Sequence, residues 1–96
     1  MFVQIIEFRT DRRDDLLGLA GRWSTDAIRN GTARSAWLCA DRDDPGAWRL
    51  IVLFPSHEAA MQNSQRPETD AMSREFADLC DGEPVFRNLD VAHSEG

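Results

Sequence analysis

Along residues 47–54 the side chains alternate: Trp48, Leu50, Val52 and Phe54 fall on one side, Ala47, Ile51 and Leu53 on the other. Successive residues of a strand point to opposite faces, so this stretch predicts a strand that is apolar on both. Residues 2–9 predict another, with Phe2, Gln4, Ile6 and Phe8 on one face and Val3, Ile5, Glu7 and Arg9 on the other. Residues 33–41 set Trp37 and Cys39 opposite Ala36, Leu38 and Ala40, and Val85, Leu89 and Val91 mark a last strand. Between them the period changes. Leu16, Leu19 or Ala20, Trp23 and Ala27 recur at helical spacing, capped by Thr10 or Asp11 and closed by Asn30-Gly31, which tolerate a left-handed backbone. Ser56 caps a short helix. Pro67 breaks it, and Thr69 restarts a stripe of Met72, Phe76, Leu79 and Cys80 that Asp81-Gly82 stops. Asp43-Asp44-Pro45-Gly46 is a turn by composition and makes the second and third strands a hairpin.

The order β-α-β-β-α-β predicts an α+β domain with the ferredoxin-like split βαβ arrangement. Right-handed connections give a four-stranded antiparallel sheet of order 4-1-3-2 with the helices on one face. The other face is left bare over roughly 400 Å², near the upper range for a monomer's largest apolar patch. A two-fold homodimer, sheet against sheet, covers it and forms a dimeric α/β barrel. The domain spans residues 1–92, followed by a polar tail, 93–96.

Composition narrows the partners. A 96-residue chain is one domain with a marginal core. Its net charge of −6 argues against nucleic acid or an anionic membrane surface as partner. All 11 basic residues are Arg and none is Lys, which excludes Schiff-base chemistry on a side-chain amine and points to a GC-rich, bacterial coding background. Met1–Phe8 reads as a strand rather than a signal peptide, and no segment approaches a membrane span. Cys39 and Cys80 lack paired-motif spacing and read as buried free thiols of a cytoplasmic protein.

Few residues suggest chemistry. Arg87, assigned with Val85, Leu89 and Val91 to the helix side, is a candidate cationic pocket wall; alternatively it is a structural ion pair with Glu7 or bonded to Gln4. Arg49 is a second cation on the third strand. Asn63 is a candidate ligand for a carbonyl or oxyanion, or a cap before Pro67. Glu7 and His57 are candidate bases. Trp37 and Trp48 are expected near each other on the hairpin, as a wall of a ligand cavity or as anchors of a dimer interface. His57 and His93 do not make a metal site, and no cofactor motif is present.

Three segments carry a family resemblance: Phe2-Val3-Gln4-Ile5-Ile6-Glu7-Phe8, Asn63-Ser64-Gln65-Arg66-Pro67-Glu68-Thr69, and Pro84-Val85-Phe86-Arg87-Asn88-Leu89-Asp90-Val91. With these the chain resembles antibiotic biosynthesis monooxygenase-like domains of the dimeric α/β-barrel group over nearly its whole length. The resemblance implies a pocket between helices and sheet, with Asn63 and Arg87 beside a phenolic substrate; Arg66-Pro67 stand where those enzymes carry a Trp. It implies cofactor-independent oxygenation of a small aromatic or enolisable molecule. The residues leave a second reading open, a non-catalytic dimeric module that binds a hydrophobic ligand or simply assembles.

Overall fold

In the computed structural model, which describes residues 1–96, the middle of the sheet is made by the two stretches whose alternation is strongest. β1 (Phe2–Arg9) pairs antiparallel with β3 (Ala47–Phe54) along its whole length, from Phe2 opposite Phe54 to Arg9 opposite Ala47. β2 (Ser35–Ala40) adds outside β3, and β4 (Val85–Asp90) outside β1. The order β2-β3-β1-β4 is the one expected. α1 (Arg13–Arg29), α2 (His57–Ser64) and α3 (Pro67–Leu79) lie on one face. None is long and apolar enough to cross a membrane.

The helix-facing row of β1 is Phe2, Gln4, Ile6 and Phe8, and that of β3 is Trp48, Leu50, Val52 and Phe54. Gln4 is the one polar residue among them, and the core divides around it. One cluster gathers Phe2, Val52 and Phe54 against Ala27, Ala33 and Ala60. The other gathers Ile6, Phe8 and Trp48 against Leu16, Leu19 and Leu79. α3 packs on α1 and α2 more than on the strands beneath it, and no helix packs closely on β4. Every residue of β4 is exposed.

The chain exposes 6312 Å², against about 5,600 Å² for a compact monomer of 10.9 kDa. β4 and the second face of the sheet have no helix over them. That face carries half-buried Val3, Ile5, Ile51 and Leu53, with Trp37, Val85 and Leu89 exposed around them.

Several local expectations need correction. Thr10 does not cap α1: Arg12 is the N-cap residue, and the Thr10 hydroxyl accepts the Arg12 N–H from just outside the helix. α3 begins at Pro67 rather than Thr69, because proline fits the first helical position, where no N–H is required. Ser56 caps α2 as expected, accepting the Ala59 N–H at 3.0 Å. Cys39 is exposed on the bare sheet face and Cys80 is half-buried; the expectation of two buried thiols fails because β2 is an edge strand with no roof on that side.

Asn30-Gly31 ends α1 without any left-handed residue. The glycine is needed for clearance. A Cβ on Gly31 would collide with the Asn63 Oδ1 and stand 2.8 Å from both the Ala27 carbonyl oxygen and Arg66 Nη1. This crowded corner fastens the α2–α3 junction to the end of α1. Arg66 donates two hydrogen bonds to Asp26, at 2.9 and 3.1 Å, and Asn30 donates a third at 3.0 Å. With side chains 20% and 19% exposed, Arg66–Asp26 is the most enclosed ion pair in the molecule.

Gly31→Ala should destabilise the fold by about 1–3 kcal/mol in urea denaturation, because backbone and Asn63 must shift together. Gly18→Ala and Gly21→Ala, on an open flank of α1 with nothing within 4 Å, should instead stabilise by about 0.5–1 kcal/mol. Hydrogen bonds from Arg66, and then from Asn30, hold the Asp26 carboxyl below its ordinary 3.8. The stability it contributes is therefore complete above that value and lost as pH falls through the lower folded-state value. Urea melts between about pH 5 and pH 2 should show the wild-type midpoint dropping more steeply than that of Asp26→Asn, which begins lower.

Candidate functional site

The gap between the two core clusters is a cavity of about 320 Å³ between the sheet and the helices. β1 and β3 form its floor, with Gln4 and Ile6 at the centre, and α1 walls one side with Leu16, Leu19 and Trp23. α2 supplies Asn63, and α3 supplies Thr69, Met72 and Phe76. Phe8 and Phe76 meet edge to face at 4.7 Å, a pillar between strand and helix that props the space open. Pro84 and Phe86 lie on the β4 side, and Phe86 is 54% exposed although it lines the cavity. The mouth is therefore between β4 and α3, where no helix covers the strand.

Fourteen of the 20 lining residues are hydrophobic, and none is charged. The polar ones are Gln4, Asn63, Ser64, Thr69 and Ser73. Two are anomalous. Asn63 is 2% exposed and Thr69 8% exposed, and neither Asn63 Oδ1 nor Thr69 Oγ1 has a hydrogen-bond partner. A buried polar group without a partner costs about 1–3 kcal/mol. Both sit at the α2–α3 junction, Asn63 in the last turn of α2 and Thr69 in the first turn of α3. The carboxamide of Asn63 caps nothing: it is the backbone carbonyl that accepts from Arg66 N–H, at 3.2 Å.

The other sequence candidates lie elsewhere. Arg87 is on the bare face of the sheet, opposite Ile5 of β1, so the helix-side assignment of Val85, Arg87 and Leu89 is corrected. The β4 residues that face the helices are Phe86, Asn88 and Asp90, opposite Ile6, Gln4 and Phe2. The strand runs in the opposite parity to the one its apolar residues suggest, because β4 is exposed on both faces and its hydrophobic residues mark no core side. Asn88 accepts a long, 3.4 Å bond from Gln4, so Gln4 does not meet Arg87.

Glu7 holds the charged cluster of the bare face together. Its carboxylate accepts from Arg87 Nε at 2.6 Å and from Arg49 Nε at 3.1 Å, and Arg49 reaches on to Asp41 at 3.5 Å. Hydrogen bonds from Arg87, then Arg49, hold the Glu7 carboxyl below its ordinary 4.5. It is a committed anion outside the cavity, the opposite of what a general base near neutrality requires.

Trp37 and Trp48 are on opposite faces of the hairpin rather than side by side. Trp48 is opposite Ala40 in the register, one residue out of phase with Trp37, which is opposite Ile51. Trp48 is buried beneath the start of α1, with the Arg13 guanidinium 5.2 Å from its ring centroid and an indole N–H that finds no partner. Trp37 is 51% exposed on the bare face. Neither lines the cavity; Trp23 does. His57 is exposed at the start of α2, its ring edge-on to Phe2 at 5.1 Å, also outside the cavity. No three His, Cys, Asp or Glu side chains gather as a metal site.

Of the seven candidates, Asn63 alone belongs to the cavity; Glu7, Arg49 and Arg87 belong together, but on the other face. Gln4, Trp23, Thr69 and Phe86 were not foreseen as a set. Gln4 had a signal, a lone polar residue inside an apolar row. Thr69 had none, since its burial depends on where α2 turns into α3.

Neither protein-family models nor curated proteins give a match to this sequence. Solved structures do. SnoaB, a cofactor-independent oxygenase from Streptomyces nogalater, superposes with a TM-score of 0.86 at 12% identity, covering 97% of this chain and 94% of that one. An antibiotic biosynthesis monooxygenase gives 0.81 at 15% identity, covering 97% and 100%. Rv0793 from Mycobacterium tuberculosis gives 0.80 at 18% identity, covering 100% of both chains. At these identities the likeness is one of fold: the chain has the ferredoxin-like fold found in antibiotic biosynthesis monooxygenase-like proteins.

Proposed function

We propose that this protein binds a small aromatic molecule carrying a hydroxyl or carbonyl group in the cavity beneath α3. The observation that supports this most directly is an apolar cavity of about 320 Å³ with no charged lining residue, whose few polar groups include the Asn63 carboxamide and the Thr69 hydroxyl. An apolar pocket with a few convergent polar groups is the usual form of a small-molecule site. A carboxamide offers an acceptor at one end and donors at the other, and a hydroxyl offers both. A ligand oxygen could accept from the Asn63 amide N–H or share a hydrogen bond with the Thr69 hydroxyl, while Trp23, Phe76 and Phe86 supply ring surface.

A second reading, cofactor-independent oxygenation of such a ligand, draws on the fold shared with SnoaB. The substrate would lose a proton to form a carbanion that reacts with O₂ directly. In this chain the cavity offers the Asn63 amide N–H and the Thr69 hydroxyl to the resulting oxyanion but no lining base, so the proton would have to pass to water.

The protein would act as a homodimer. Val3, Ile5, Ile51 and Leu53, framed by Trp37, Val85 and Leu89, make one apolar surface. The roughly 700 Å² by which the chain exceeds a compact monomer is close to the ~800 Å² each partner contributes to a standard interface. The Glu7–Arg49–Arg87 cluster on the same face supplies a polar margin.

Anthrone titrated against tryptophan fluorescence should bind saturably. Asn63→Leu and Thr69→Val should each weaken binding about tenfold, while raising stability by about 1 kcal/mol because an unsatisfied buried group is removed. A purely structural Asn63 would show the reverse, lower stability with no change in anthrone titration. Oxygen uptake above the buffer rate, abolished by Asn63→Leu, would favour turnover over binding. Sedimentation should give a dimer at tens of micromolar, and Ile51→Asp, at the centre of the bare face, should give a monomer; a wild-type monomer would remove the assembly from this reading.

A further inference from the structure

We infer that the cavity selects uncharged ligands over anionic ones, and that Phe86, at its mouth, sets that preference. The inference rests on the reading of the cavity as a ligand site and adds the charge class of what it takes.

Phe86 and Arg87 are neighbours in β4 and point to opposite faces. The register with β1 decides which one the cavity receives. Phe86 is opposite Ile6, whose side chain is part of the cavity floor; Arg87 is opposite Ile5, whose side chain is on the bare face. A slip of one residue would exchange them and place a guanidinium at the mouth. The slip is opposed from both sides. Arg87 is tied to Glu7 at 2.6 Å, and Gln4 to Asn88 on the helix side. The result is a cavity walled without a single Arg, His, Asp or Glu in a chain whose net charge is −6.

An anion entering this space would lose water and gain no counter-charge, and buried charge without a partner is among the costliest arrangements in a protein. A neutral ring loses little on entry. Phe86 is half exposed, so its ring faces solvent on one side and the cavity on the other. A ligand passing between β4 and α3 meets that ring before it meets Asn63 and Thr69. The aromatic face, negative at its centre, favours another ring and disfavours a carboxylate.

The test compares 9-anthracenemethanol with anthracene-9-carboxylate, which share a ring system and differ in charge at pH 7, by tryptophan quenching and calorimetry. The wild-type protein should bind the alcohol at least about tenfold more tightly. Phe86→Arg should narrow or reverse that ratio by at least about tenfold, with most of the gain on the carboxylate. Phe86→Leu, an uncharged replacement on the same exposed strand, should weaken both probes and keep the ratio. Circular dichroism verifies that both variants are folded. Equal affinity of the wild type for the two probes overturns the selection. An unchanged ratio in folded Phe86→Arg overturns the role of Phe86. If neither probe binds the wild type and Asn63→Leu makes no difference, the cavity is not a ligand site, and both readings fall together.

Discussion

Side chains alternate along a strand, and in β1 and β4 that alternation sorts the whole molecule. It sends Gln4, Ile6 and Phe86 to the helices and Ile5, Glu7 and Arg87 to the bare face. Because the period is two, no small adjustment mixes the sets. The cavity is therefore uncharged, and the bare face carries the Glu7, Arg49 and Arg87 ions. The Glu7 carboxylate, bonded to arginines from strands on both sides of β1, locks this parity across β4, β1 and β3.

A core of this size normally closes on itself. Here it is parted in two, and the parting has identifiable supports. Gln4 interrupts the apolar row of β1, Phe76 stands on Phe8 as a pillar, and α3 leans on the other helices instead of β4. A second set of contacts keeps the junction of α2 and α3 from collapsing into the space. Arg66 grips Asp26 with two hydrogen bonds, and Gly31 leaves room for the Asn63 carboxamide. Asn63 is thus held in place by ionic and steric means while its own oxygen goes unpaired. A buried polar atom left without a partner calls for an explanation, and here the crowding against Gly31 and Arg66 is what keeps the Asn63 oxygen where it is.

The fold was legible because its signals were local and redundant. β1 and β3 alternate over eight residues each, Ser56 is a side-chain cap, and the strand-helix order admits few topologies. The site was not legible to the same degree. Arg87 was placed on the wrong face because β4 reads as Val85, Leu89 and Val91, and in a fully exposed strand apolar residues do not mark the core. Trp37 and Trp48 were paired by their closeness along the hairpin, yet their positions differ in parity, which the register of β2 on β3 determines and the sequence does not state. Asn63 stood out by residue type, but its burial came from the corner made with Gly31 and Arg66, a contact between segments 32 and more residues apart in the chain.

The absence of charge from the cavity bears on chemistry as well as recognition. A cofactor-independent oxygenation needs a proton removed and a developing oxyanion stabilised. Asn63 and Thr69 can serve the second need from fixed positions on helix ends. The first has no side chain assigned to it: Glu7 is on the far face and bound to two arginines, and His57 is on the surface against Phe2. In the oxygenation reading, the proton of the substrate would have to pass to water in a cavity that offers the resulting anion no counter-charge. A substrate that needs a protein base would bind and leave unchanged. The same architecture therefore spans both readings, and what separates them is whether that proton leaves.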